Sequence, residues 1–130
     1  GGNWDRALWV ENNKVTFYTF PGSEYKHQAL INVVDNIWHN CVVTMDSQGS
    51  KIYIDGVLIS SDNTQVTGQN YSGFFRFGGL SPNDINNSLI GSYDDIGIWN
   101  RALTQAEITA MYNGTQTSSY SNTCNAVDGS

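Results

Sequence analysis

At 130 residues, the chain has the length of one domain and can bury a core without a metal or disulfide staple. Its 12 acidic and 6 basic residues give a net charge of −6 with only 14% charged residues, so it lacks the basic face that phosphate backbones require and nucleic acid is not an expected partner. Asn, Ser, Thr and Gly carry the polarity, as in secreted β-proteins, and no run is apolar for long enough to insert into a membrane or follows a basic start as a signal peptide would.

Gly1-Gly2-Asn3 reads as the inside of a loop, as expected of a piece of a longer polypeptide. Arg6 to Val10 and Lys14 to Phe20 are β-rich runs joined through Asn12-Asn13, a pair that tolerates the left-handed backbone of a tight hairpin. Pro21-Gly22-Ser23 ends the hairpin, a polar loop passes Tyr25 and Lys26, and a third strand is expected over His27 to Val33. Ile37 to Met45 is the most apolar strand candidate and is expected to be central, followed by the turn Asp46 to Ser50. Lys51 to Ile54, Asp55-Gly56 and Val57 to Ser60 spell a second hairpin. Ser61 to Ser72 shows no periodicity and reads as a surface loop with little order of its own. Phe74 to Gly78 and Leu89-Ile90 are further strand candidates, separated by a loop rich in Asn and Ser.

The best-marked stretch is Gly91 to Gly114. A strand over Ile96 to Trp99 leads into a helix whose start is a capping box, Thr104 with Glu107, flanked by Leu103 and Ile108 as a hydrophobic staple. Ile108, Met111 and Tyr112 share one helix face, and Gly114 is the stop. Residues 115–130 are small and polar and read as a linker or tail, so the domain is expected to span residues 1–114. Many short strands, frequent turns and one late helix describe an all-β sandwich rather than a parallel α/β sheet.

Trp38-His39, Val42-Val43-Thr44, the run Lys51 to Leu58, and Gly91, Asp94-Asp95 and Asn100 to Leu103 together resemble the laminin-G-like branch of the concanavalin A-like lectin and glucanase superfamily. The resemblance covers roughly Arg6 to Gly114. It implies an antiparallel jelly-roll β-sandwich and looks most like a secreted bacterial surface protein. Such domains begin with strands that have no equivalent before Arg6. Either these strands are missing or another segment supplies them, and an open sheet edge would then serve a protein partner or self-assembly.

No catalytic constellation emerges, so the chain is not expected to be an enzyme. Glycosidases need two carboxylates about one bond, whereas adjacent Asp94 and Asp95 point to opposite faces of a strand. His27 and His39 lack a nearby set of zinc ligands, and His39 reads as a residue satisfied by its neighbours. The resemblance also implies Ca²⁺ at one rim, where Asp35, Asn36, Asp84, Asn86, Asn87 and Asp94 are the candidates, yet no loop of regular calcium-binding spacing is present and these side chains read as solvated. Cys41 and Cys124 can pair or stay free; their spacing does not decide it. Trp9, Trp38, Phe75 and Trp99 fall in strands and read as core. Trp4, Tyr25 and Tyr71 fall in loops among polar neighbours, where a flat ring and nearby amides suit a sugar, and are the ligand-binding candidates.

These readings favour a non-catalytic module that binds a polysaccharide or a glycoprotein glycan on a secreted protein. A structural assembly domain using an open sheet edge is the alternative, and a fragment of a polysaccharide-degrading enzyme ranks below both.

Overall fold

The computed structural model describes residues 5–70, 75, 77, 78 and 91–114. The expected strand at 89–90, most of the one at 74–78, and residues 115–130 lie outside the described residues. Two antiparallel three-stranded sheets carry the fold. The first comprises β1 (Ala7–Glu11), β2 (Lys14–Thr19) and β3 (Tyr25–Gln28) in that order; the second comprises β4 (Cys41–Asp46), β5 (Gly49–Ile54) and β6 (Val57–Asp62). One helix, α1 (Gln105–Tyr112), follows.

Turn chemistry sets both hairpins. Asn12 and Asn13 both take positive φ, as do Asp55 and Gly56, the backbone that two-residue hairpin turns need to match strand twist. Gly49 has φ +127, and a Cβ there would stand 2.2 Å from the Asp62 carbonyl oxygen, so only glycine fits beside β6. Between Ile52 and Tyr53 the β5–β6 register shifts, which makes a bulge of Ile59.

Alternation along the strands sorts side chains into layers. Val15 and Phe17 from the first sheet meet Ile52 and Ile54 from the second, with Ala29 closing the cluster and Val33, Val43, Met45 and Ile59 around it. On the opposite face of the second sheet, Val42 and Tyr53 pack with Leu103 and Ile108, flanked by Trp99 and Met111. Ile52, Ile54 and Ile108 are fully buried; each such side chain contributes about 1.5–3 kcal/mol relative to exposure. The order is therefore first sheet, second sheet, helix.

The helix start forms as the sequence indicates. The Thr104 hydroxyl accepts from the Glu107 amide (3.3 Å), and the Glu107 carboxylate accepts from the Thr104 amide (2.8 Å). Arg101 closes on the same carboxylate with two bonds of 2.9 and 2.5 Å, and Glu107 is held down to about 2 by Arg101 first and the Thr104 groups second. Gly114 takes φ +65 after the helix, and its amide reaches the Met111 carbonyl.

Four expectations need correction. The third strand runs over Tyr25–Gln28 rather than His27 to Val33, because β2 ends its pairing at Thr19 opposite Tyr25, and beyond Gln28 only Ala29 and Val33 still donate to the first hairpin. The central apolar strand begins at Cys41, not Ile37. Cys41 pairs with Ile54, the last residue before the Asp55-Gly56 turn, so residues 37–39 have nothing opposite them and Trp38 is 69% exposed instead of core. Ile96 to Trp99 is not a strand: Ile96 and Ile98 are exposed, and the Trp99 indole folds back over Gly97. Phe75 is also exposed, with no described neighbour covering it.

Candidate binding cleft

The first sheet's last turn and the segment after β6 enclose a cleft of about 300 Å³ at one end of the sandwich. Pro21, Gly22, Ser23 and Tyr25 form one wall, and Thr64 to Thr67 form the other. Tyr25 pairs with Thr19 across β2 and β3, so its side chain leaves the sheet on the inner face at its very end, where no strand of the second sheet covers it. It is 37% exposed.

Gln65 organises the cleft. Its side chain is 1% exposed and fully satisfied: Nε2 donates to Thr19 Oγ1 (3.1 Å) and the Tyr25 carbonyl (3.3 Å), and Oε1 accepts from the Ser50 hydroxyl (2.8 Å). Because a carbonyl only accepts, the Tyr25 contact fixes which end of the amide points there. Ser50 Oγ lies 2.7 Å from His27 Nδ1, and Ser60 Oγ lies 2.7 Å from His27 Nε2. With the Ser50 proton given to Gln65, His27 Nδ1 donates to Ser50, while the Ser60 hydroxyl can give its proton to Nε2 of a neutral ring. Burial pushes its pKa down, opposed by Asp62. A polar chain thus crosses between the two sheets with every described member paired.

Asp5 ties down the segment beyond the cleft. Its side chain is 1% exposed and accepts from the Phe20 amide (2.6 Å) and the Gln69 amide (2.7 Å), while Arg6 bonds both Asp5 and the Gln69 carbonyl. This corrects the expectation of little order over residues 61–72 for its described part, 61–70. Thr64 to Gln69 is tied to the Thr19–Phe20 end of the first sheet, directly through the Gln65 side chain and by way of Asp5 through the Gln69 backbone, all partners far away in sequence.

Among the described residues no charged side chain lines the cleft. An aromatic face, a proline and hydroxyls, positioned by the buried Gln65 amide, suit a neutral, hydroxylated ligand whose C–H face lies on a ring. At about 300 Å³ the cleft stands at the lower end of ligand sites, which run from about 300 to 1,000 Å³.

Of the three aromatic candidates, the structure places Tyr25 in this cleft; Trp4 and Tyr71 lie outside the described residues. Pro21, Ser23 and Gln65 were not singled out from sequence. Pro21-Gly22-Ser23 carried only a turn signal, and Gln65 carried none. Trp9 is half-buried on the outer face of the first sheet, its ring 5.4 Å from Tyr18 and capped by Lys26 Nζ at 5.6 Å, with Lys26 bonded in turn to Glu11 (3.2 Å).

Asp84, Asn86 and Asn87 lie outside the described residues. Asp35 is engaged by His39, and Asp94 accepts from the Asp95 amide. Among the described residues, no group of three His, Cys, Asp or Glu side chains could hold a metal ion. Cys41 is a free thiol, pushed up to about 11 by desolvation and by Asp55; Cys124 lies outside the described residues. Among the described residues no helix is long and apolar enough to cross a membrane.

The Laminin_G_3 family, described as the concanavalin A-like lectin/glucanases superfamily, matches residues 1–109. The chain belongs to this family. Among solved structures, this laminin-G-like domain is similar to the 2.1 Å crystal structure of an S-layer domain-containing protein (residues 221–444) from Clostridium thermocellum ATCC 27405, with 21% identity and a TM-score of 0.46 over 86% of this chain and 70% of that one. No curated protein matches.

Proposed function

We propose that this laminin-G-like domain is a non-catalytic carbohydrate-binding module of an extracellular surface protein, and that it takes a neutral polysaccharide or glycan at the end cleft. The observation that carries this reading is a cleft that Tyr25 lines together with Pro21, Ser23 and the immobilised Gln65, and to which the described residues bring no charged side chain. Membership of a superfamily that includes lectins supports it. Among the described residues that line the cleft there is no carboxylate, whereas cutting a glycosidic bond ordinarily takes two.

Affinity electrophoresis through gels cast with neutral polysaccharides tests the proposal. The wild-type domain is expected to be retarded by at least one of them. Tyr25→Ala should weaken binding by roughly 3- to 10-fold, the worth of an aromatic contact of about 0.5–1.5 kcal/mol, while circular dichroism shows an unchanged fold. A folded wild-type domain that no polysaccharide retards overturns the reading. Retardation that Tyr25→Ala leaves intact moves the site elsewhere, with Trp4→Ala and Tyr71→Ala as the next variants.

A further inference from the structure

His39 stands where two loops meet. Its Nδ1 lies 2.8 Å from Asp55 Oδ2 in the β5–β6 turn, and its Nε2 lies 3.1 Å from both carboxylate oxygens of Asp35. Ionised carboxylates only accept, so both contacts are hydrogen bonds only if both ring nitrogens carry protons. The arrangement is that of an imidazolium between two carboxylates.

The two anchors differ in how firmly they are held. Asp55 is built into the hairpin: Oδ1 accepts from the Asn40 amide (2.9 Å), and its own amide donates to the Asn40 carbonyl (2.9 Å). Asp35 is more exposed, and besides His39 its side chain holds only the Ile37 amide, two residues on (3.1 Å). Asp35 and Asp55 are the charged groups that face the ring. The Cys41 thiol, at the head of β4, contacts the His39 carbonyl at 4.0 Å. Helix α1 approaches the same turn through Gln105, Thr109 and Tyr112 at Gly56.

We propose that His39 is a protonation-controlled latch: as an imidazolium it staples the loop at residues 35–40 to the β5–β6 turn, and on losing its proton it keeps Asp55 and lets go of Asp35. A neutral ring has one N–H to give. Keeping the shorter bond to the better-held Asp55 turns the bare lone pair of Nε2 toward the Asp35 carboxylate, and that contact is repulsive. Asn36, at φ 68, then allows the loop to swing, carrying the exposed Ile37 and Trp38 with it. One further observation fits a loop with an alternative arrangement: Asn40 Oδ1 is buried with no partner among the described residues. The Asp55 hydrogen bond first, and Asp35 after it, raise the His39 pKa above the ordinary 6.5, so the latch is closed in mildly acidic to neutral solution and opens as pH rises.

Proton NMR of the whole chain, following the His39 ring and the Trp38 indole N–H from about pH 5 to about pH 9, tests the latch across the range where histidine changes charge. Both signals should share one midpoint above 6.5, and the Trp38 signal should narrow above it as the loop gains motion. In Asp35→Asn the His39 midpoint should fall and Trp38 should stop responding to pH, with the Trp99 indole signal reporting an intact fold. In His39→Gln, Trp38 should be insensitive to pH throughout. A His39 midpoint at or below 6.5, a His39 titration that Trp38 does not follow, or an unchanged midpoint in Asp35→Asn would each overturn the proposal.

Discussion

The two histidines oppose one another as pH changes. His27 is buried between neutral hydroxyls, and its pKa is lowered below 6.5 by desolvation. A group whose folded value lies below its unfolded value stabilises above the unfolded value and loses that contribution as pH falls toward the folded one. His39 is raised, so its contribution is complete below 6.5 and is lost as pH rises through its folded value. Together they place a stability maximum near pH 6.5. Urea midpoints measured across that range should show His27→Gln flattening the acid side and His39→Gln flattening the alkaline side; a wild-type midpoint that rises steadily through neutrality would contradict this pairing. Little of it was legible in the sequence. His39 could be read as satisfied by its neighbours, but neither its firmer anchor nor the burial of His27 follows from local spacing, because Asp55 lies 16 positions from His39 and the two serines lie 23 and 33 from His27; only Asp35 is close in sequence.

At the scale of elements, local chemistry was readable wherever an element closes on itself. Both hairpins and the helix cap depend on residues within four positions of one another, and all three formed where the turn and capping residues placed them. Elements that depend on a distant partner were not readable. Ile96 to Trp99 has the composition of a strand and no described ladder, while Tyr25–Gln28 has the polarity of a loop and pairs along its whole length. A strand is a statement about its neighbour, and composition describes only half of the pair. The helix therefore gives the cleanest element-scale test. Thr104→Ala removes the hydroxyl that accepts from Glu107 and should cost about 1 kcal/mol in urea unfolding, with the cleft and its ligand unaffected. A loss within error of zero would mean that Arg101 and Glu107 hold the helix start without the cap.

Across the whole molecule, the core does not reach the edge of the first sheet. Leu8 and Val10 lie opposite Phe17 and Val15 and so share the inner face, yet they are 49% and 38% exposed on the outermost strand. Among the described residues no strand pairs with the outer side of β1, and exposed apolar edge strands invite pairing. Light scattering should show the domain associating as concentration rises, and Leu8→Lys should return it to a monodisperse monomer; a wild-type monomer at all concentrations would remove assembly from consideration. Cleft and edge strand can be disrupted separately, since Tyr25 and Leu8 stand on different strands at opposite margins of the sheet.

The position of β5 has a consequence for what the sequence can tolerate. Ile52, Tyr53 and Ile54 are buried in succession, the isoleucines against the first sheet and the tyrosine against the helix. Among the described strands β2 alone is buried in the same way, from Val15 to Thr19, while the others keep exposed or half-buried positions. In β5 neighbouring codons answer to different cores, so the triplet between Lys51 and Asp55 should be the segment in which random substitution is purged most evenly, with no alternate position spared.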